Sequence, residues 1–238
     1  MHDFAEIWSY LARAPLLWLT ATLAAYLIGD AAFRASGRRP WVNPVMVAVA
    51  LISGLLWLSA TPYPVYFEGA QFVHFMLGPA TVLLAVPLSD NLAKIRATFL
   101  PLVAALVAGS LTAMVSALAI ARALGVEGQT LISIAPKSAT APVAIGVAER
   151  IGGSPTLSAA LVLATGIFGA ITVTPLMNAM GIRDWRARGF AVGVAAHGVG
   201  TARAFQVNET AGAFAGIGMG LNAILTALIA PFVVRLFL

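Results

Sequence analysis

Apolar residues gather in eight runs separated by short polar loops: roughly 7–29, 44–59, 71–88, 98–121, 129–149, 156–180, 189–207 and 211–236. They do not alternate with period two, so they predict helices rather than strands. About 20 apolar residues span the hydrocarbon core of a bilayer. Three runs are interrupted. One carries Gly78-Pro79 at its middle, one Pro136-Lys137-Ser138 and then Pro142, and one His197-Gly198-Val199-Gly200-Thr201 followed by Arg203. Glycine and proline at mid-depth free backbone groups that must face protein or a water-lined cavity.

Composition narrows the class. Hydrophobic residues make up 60% of the 238 and charged residues 10%, with a mean hydropathy of +0.92. A soluble domain carries about 25% charged residues, so a soluble protein, a disordered chain and a DNA-binding domain are excluded. The expected protein is an all-α polytopic membrane protein. The first run is too long for a signal-peptide core and lacks a basic start, so it reads as a retained span. Cysteine is absent, which removes disulfides, zinc–thiolate and Fe–S sites. No nucleotide or metal signature is present, and no cofactor or metal is expected.

Net charge is +5, and most of the arginines stand in loops, which points to membrane orientation rather than nucleic acid. Loop 30–43 holds Arg34, Arg38 and Arg39; loop 89–97 holds Lys94 and Arg96; loop 181–188 holds Arg183, Arg186 and Arg188. All three should be cytoplasmic. Run 98–121 then leaves the cytoplasm, and the chain must be back by 181. Two full crossings cannot do this, so 129–149, broken twice, is expected to be a re-entrant hairpin. The reading gives seven crossings and one hairpin, with the N-terminus outside and the C-terminus inside.

An offset of 120 carries 9–29 onto 129–149, 44–59 onto 164–179, and Gly78-Pro-Ala-Thr81 onto Gly198-Val-Gly-Thr201. We read one membrane domain over 1–238 made of two repeats, about 7–121 and 129–236. Their orientations are opposite, and inverted repeats with broken helices are a transporter architecture.

Lys137 stands near the middle of its run, where a cation costs about 3 kcal/mol. Pro136 ends the half-helix before it. The half-helix after it would offer free N–H groups near Ser138 and Thr140, so an ammonium, two hydroxyls and a helix N-terminus converge on one point that suits a carboxylate or phosphate. At the other charged break, N–H groups near Gly200 and the Thr201 hydroxyl would complete the site. Arg203 would add a bidentate anchor, and His197 could couple transport to protons. Thr81, beyond the uncharged Gly78-Pro79 break, could bond a substrate oxygen. Asn222 lies among small residues and is read as an interhelical hydrogen-bonding residue. Adjacent residues on a helix diverge, so Lys137 is not expected to serve Ser138 as a base, and no enzyme is expected.

The two charged breaks resemble the LrgB/CidB family of membrane proteins. The resemblance rests on Ala135-Pro-Lys-Ser-Ala-Thr-Ala-Pro-Val-Ala144, Ile151-Gly-Gly153, Arg188-Gly189 and His197-Gly-Val-Gly-Thr-Ala-Arg-Ala204, with Leu77-Gly-Pro-Ala-Thr-Val82 as a further match. It covers nearly the whole chain and is densest over 128–231. Family members more often carry Val and Thr where this chain has Ala139 and Ala141, which bears on selectivity and leaves Lys137, Ser138 and Thr140 in place. The resemblance implies two functional traditions: antiholin-like proteins that modulate murein hydrolase activity beside a small LrgA/CidA-type partner, and plastid glycolate/glycerate transporters. Buried cations at broken helices favour transport. The expected function is a secondary carrier of small monocarboxylates (glycolate, glycerate, lactate or pyruvate) in the inner membrane, as a homo-oligomer such as a dimer. The alternative is an antiholin-like regulatory subunit.

Overall fold

The computed structural model describes residues 15–39, 41–83, 96 and 98–238; of residues 74, 77, 78 and 80–83 only the helical backbone is described. The chain forms two compact units, Met1–Leu83 and Leu84–Leu238.

In the first unit α1 (Pro15–Ala35), α2 (Pro44–Leu58) and α3 (Tyr63–Leu83) pack together. Asn43 starts α2 by accepting from the N–H groups of Val45 and Met46, with Pro44 pre-set for the first turn. Trp18 is fully buried and meets Tyr66 edge-on at 5.8 Å, while the Tyr66 hydroxyl lies 3.1 Å from Thr22 Oγ1. Helix α3 runs unbroken through Pro79. The expected break at Gly78-Pro79 is therefore corrected: one missing N–H does not unwind a turn whose neighbours keep helical backbone. The Thr81 side chain lies outside the described residues.

The second unit holds α4 (Phe99–Ala123), α5 (Gly128–Ile134), α6 (Ala141–Ile151), α7 (Pro155–Ala179), α8 (Trp185–Val207) and α9 (Glu209–Arg235). Four described helices, α1, α4, α7 and α9, are long and apolar enough to cross a membrane. Ser154 with Pro155, Asp184, and Asn208 cap the starts of α7, α8 and α9.

The segment from α5 to α6 folds back on itself. Ser133, near the end of α5, accepts from the Ser154 N–H at 2.7 Å, and its carbonyl accepts from Ser158 Oγ at 2.8 Å. A continuous helix would put 133 and 154 about 30 Å apart. The chain over 129–149 thus doubles back rather than running on as one helix.

Helix α8 folds back as well, which corrects the expectation that 189–207 crosses. Backbone at Ala196 (φ −129°, ψ 16°) and His197 (φ 42°, ψ −134°) is non-helical. Gly189 packs on the Ala211 backbone and Gly193 on that of Ala215, so the first arm of α8 runs beside α9 in the same direction. The second arm must return, and Gly200 does face Val192 and Ala196 across the turn. Asn208 is then the one-residue link into α9. The chain end follows. Arg122, at the close of α4, donates to the Phe237 carbonyl, so the last residues lie at the end of the unit opposite to residues 181–184, not beside them as expected.

Candidate functional site

The two hairpins enter the unit from opposite ends, and their tips meet at Asn222. This residue sits midway along α9 and is buried. Its Nδ2 donates to the Ser138 carbonyl at 2.9 Å and to the Val194 carbonyl at 3.1 Å, and its Oδ1 accepts from Ser110 Oγ of α4. Both carbonyls are orphaned by sequence. A helical partner for Ser138 would be the N–H of residue 142, which is proline. For Val194 it would be Gly198, beyond the non-helical turn at 196–197. One carboxamide therefore satisfies two groups whose burial unpaired would cost about 1–3 kcal/mol each.

The first tip is a run of tight turns, with Lys137 N–H bonded to the Ile134 carbonyl and Ala139 N–H to the Pro136 carbonyl. In this geometry neighbours do not diverge: Lys137 Nζ donates to Ser138 Oγ at 3.2 Å. The expectation that the two point apart is corrected, because it assumed a helix where the chain turns. Lys137 is half-buried and Ser138 and Thr140 are buried. The ion pairs Arg34–Asp30 and Arg186–Asp184 occur among the described residues, and Lys137 takes part in neither. Thr140 stands at the N-cap of α6 without making a side-chain capping bond, so the N–H groups of Ala141 and Val143 open beside it.

The second tip nests on α7. His197 Nε2 lies 2.8 Å from the Val162 carbonyl; a carbonyl only accepts, so Nε2 carries the proton. Gly166 makes room for the ring, since a Cβ there would stand 2.7 Å from His197 Cε1 and 2.9 Å from Val199 Cβ. Thr201 Oγ1 donates to the His197 carbonyl at 2.7 Å and lies 3.9 Å from Met219 Sδ.

The expected site residues therefore fall into three groups. Lys137, Ser138 and Thr140 share the first tip. His197, Gly200 and Thr201 build the second: the Gly200 position is filled by arm-to-arm packing, and the Thr201 proton is committed to backbone. Arg203 lies along the returning arm, in a small pocket lined also by Trp185, Arg188 and Met177. Asn222 and Ser110 are the residues that sequence reasoning did not place in the site. A lone amide mid-run signals an interhelical bond, which is what Asn222 makes, but not to which carbonyls.

Known proteins place the sequence in a family. A family model described as LrgB-like matches residues 22–236. The chain belongs to the LrgB-like family. Among its relatives is the uncharacterized protein YxaC of Bacillus subtilis, 32% identical over 93% of this chain and 96% of that protein. The holin-like protein CidB of Staphylococcus epidermidis is 30% identical over 83% of this chain and 86% of its own length, and that of Staphylococcus aureus is 29% identical over the same shares. No solved structure matches. With family membership and four apolar helices of spanning length, the chain is a membrane protein.

Proposed function

We propose that this LrgB-family chain binds small monocarboxylates where its two hairpin tips meet, and carries them across the membrane. One observation carries the reading: a half-buried ammonium, Lys137, on a broken helix, in neither of those ion pairs and beside an uncapped helix start. Such a group in an apolar setting calls for an anion. Lys137 would hold the carboxylate with Ser138 Oγ and the first N–H groups of α6, and Thr140 would bond an adjacent hydroxyl. His197, Gly200 and Thr201 would hold the opposing tip in shape. Arg203 stands apart from the tips, in the small pocket along the returning arm. Lys137 donates to Ser138 rather than accepting from it, so no catalytic step is assigned.

In this reading the arginine-rich 181–188 end is cytoplasmic, the C-terminus lies outside, and one hairpin enters from each face. Two hairpins loaded from opposite ends give each side of the membrane its own way to the same tip region.

The relatives' names favour a second reading over any particular acid. CidB is called holin-like, and a holin-like or antiholin-like regulator of murein hydrolase activity would act with a small membrane partner. Proteoliposomes separate the two. The carrier reading expects purified protein alone to take up labelled glycolate, lactate or pyruvate, and Lys137→Ala to abolish uptake. Wild-type protein that moves none of these acids without a partner would leave the holin-like reading standing.

A further inference from the structure

We infer that Asn222 is the positioning residue that sets the two hairpin tips against each other, so that Lys137 on one tip is presented to the other. Each amide hydrogen of Nδ2 goes to a different hairpin, one to Ser138 and one to Val194. The orientation of the amide is not free to invert: the Ser138 and Val194 carbonyls only accept, so the NH2 group must face the tips, and Ser110 Oγ then donates to Oδ1 on the other side. Nothing else in that position does the same work. Leucine matches the size and offers no donor. Aspartate keeps the Ser110 bond but turns an oxygen toward two carbonyl oxygens. Met219, one turn earlier on the same face of α9, packs on Gly198 and Thr201, so α9 holds the second tip by packing and both tips by the amide. Opening either hairpin away from α9 breaks one bond of the amide and leaves the other, which makes Asn222 the element through which one tip responds to the other. The functional weight of this inference rests on the carboxylate reading; the mechanical part does not.

Hydrogen exchange resolved by segment tests the mechanical part on the full chain in detergent. Asn222→Leu is expected to speed exchange about tenfold at 139–144 and also at 198–202, with α4 before residue 109 unchanged. Ser110→Ala, which keeps both donors to the tips but leaves the buried Oδ1 without its own donor, is expected to loosen the same two segments by a smaller factor. Uniform acceleration along the whole chain, or loosening of one tip alone, overturns the inference. If Asn222→Leu does not fold, Ser110→Ala alone decides between both tips and one. Glycolate uptake gives the functional arm: Asn222→Leu is expected to raise KM about tenfold or more, with a smaller change in kcat. Wild-type protein that takes up no glycolate defeats the carboxylate reading and leaves the exchange result to judge Asn222.

Discussion

Asn222 donates to the Ser138 carbonyl across 84 positions of chain, at 2.9 Å, and that bond fastens the break around Lys137 to the long last helix. The same nitrogen reaches Val194 at 3.1 Å in the other hairpin. Two defects that would each weaken a membrane helix are therefore resolved together. Neither tip can leave α9 without breaking one of these bonds.

Removing the ammonium should separate function from folding. Lys137→Met takes away a half-buried cation that lies in neither of the two ion pairs, so the melting temperature in detergent should hold or rise. Carboxylate uptake should fall by about tenfold to a hundredfold, the weight of a charged hydrogen bond. Unchanged uptake would remove Lys137 from the site.

Backbone strain at the second tip makes position 197 unusual. His197 has φ 42°, in the region that favours glycine, yet bears a ring that bonds Val162. His197→Ala should lose the bond and keep the strain; His197→Gly should lose the bond and relieve it. The glycine variant should be the more stable of the two by roughly 1–3 kcal/mol, read from thermal unfolding.

Packing at α7 gives a steric test. Gly166→Ala would press on His197 and Val199 and should cost about 1–3 kcal/mol. Gly146→Ala, inside α6 with nothing within 4 Å, should instead stabilise by about 0.5–1 kcal/mol. Equal melting temperatures for the two variants would contradict the nesting of the second tip on α7.

Fold-back of α8 has a consequence for sidedness. The chain has no cysteine, so single cysteines report without background. Arg183→Cys and Phe237→Cys should react with a membrane-impermeant maleimide from opposite sides in oriented vesicles. Labelling from one side only would restore a crossing at 189–207.

Asp184 sets an acid limit. The Arg186 side chain, hydrogen-bonded to it, holds its carboxyl down to about 2 from an ordinary 3.8. Because the folded value is depressed, its contribution is present above 3.8 and is lost as pH falls toward 2. The group is exposed, so the effect is small. Melting temperature should decline over that interval, and Asp184→Asn should flatten this part of the profile.

What the chain's order of residues determined was local. Run lengths gave the long helices α4, α7 and α9, because apolar stretches of that size have no other stable form in a bilayer. Pro136, Pro142 and the glycines after His197 marked the two real breaks, since the missing N–H of proline and the freedom of glycine act within a few residues. Gly78-Pro79 carried the same local mark and did not open. Whether a break turns the chain round is a tertiary matter. It depended on Gly189 and Gly193 meeting Ala211 and Ala215, and on Ser133 meeting Ser154, contacts between residues 21 to 22 positions apart that no window of sequence contains. For the same reason Asn222 was legible as a polar residue needing a partner, but the two carbonyls that needed it became its partners only when both hairpins closed on α9.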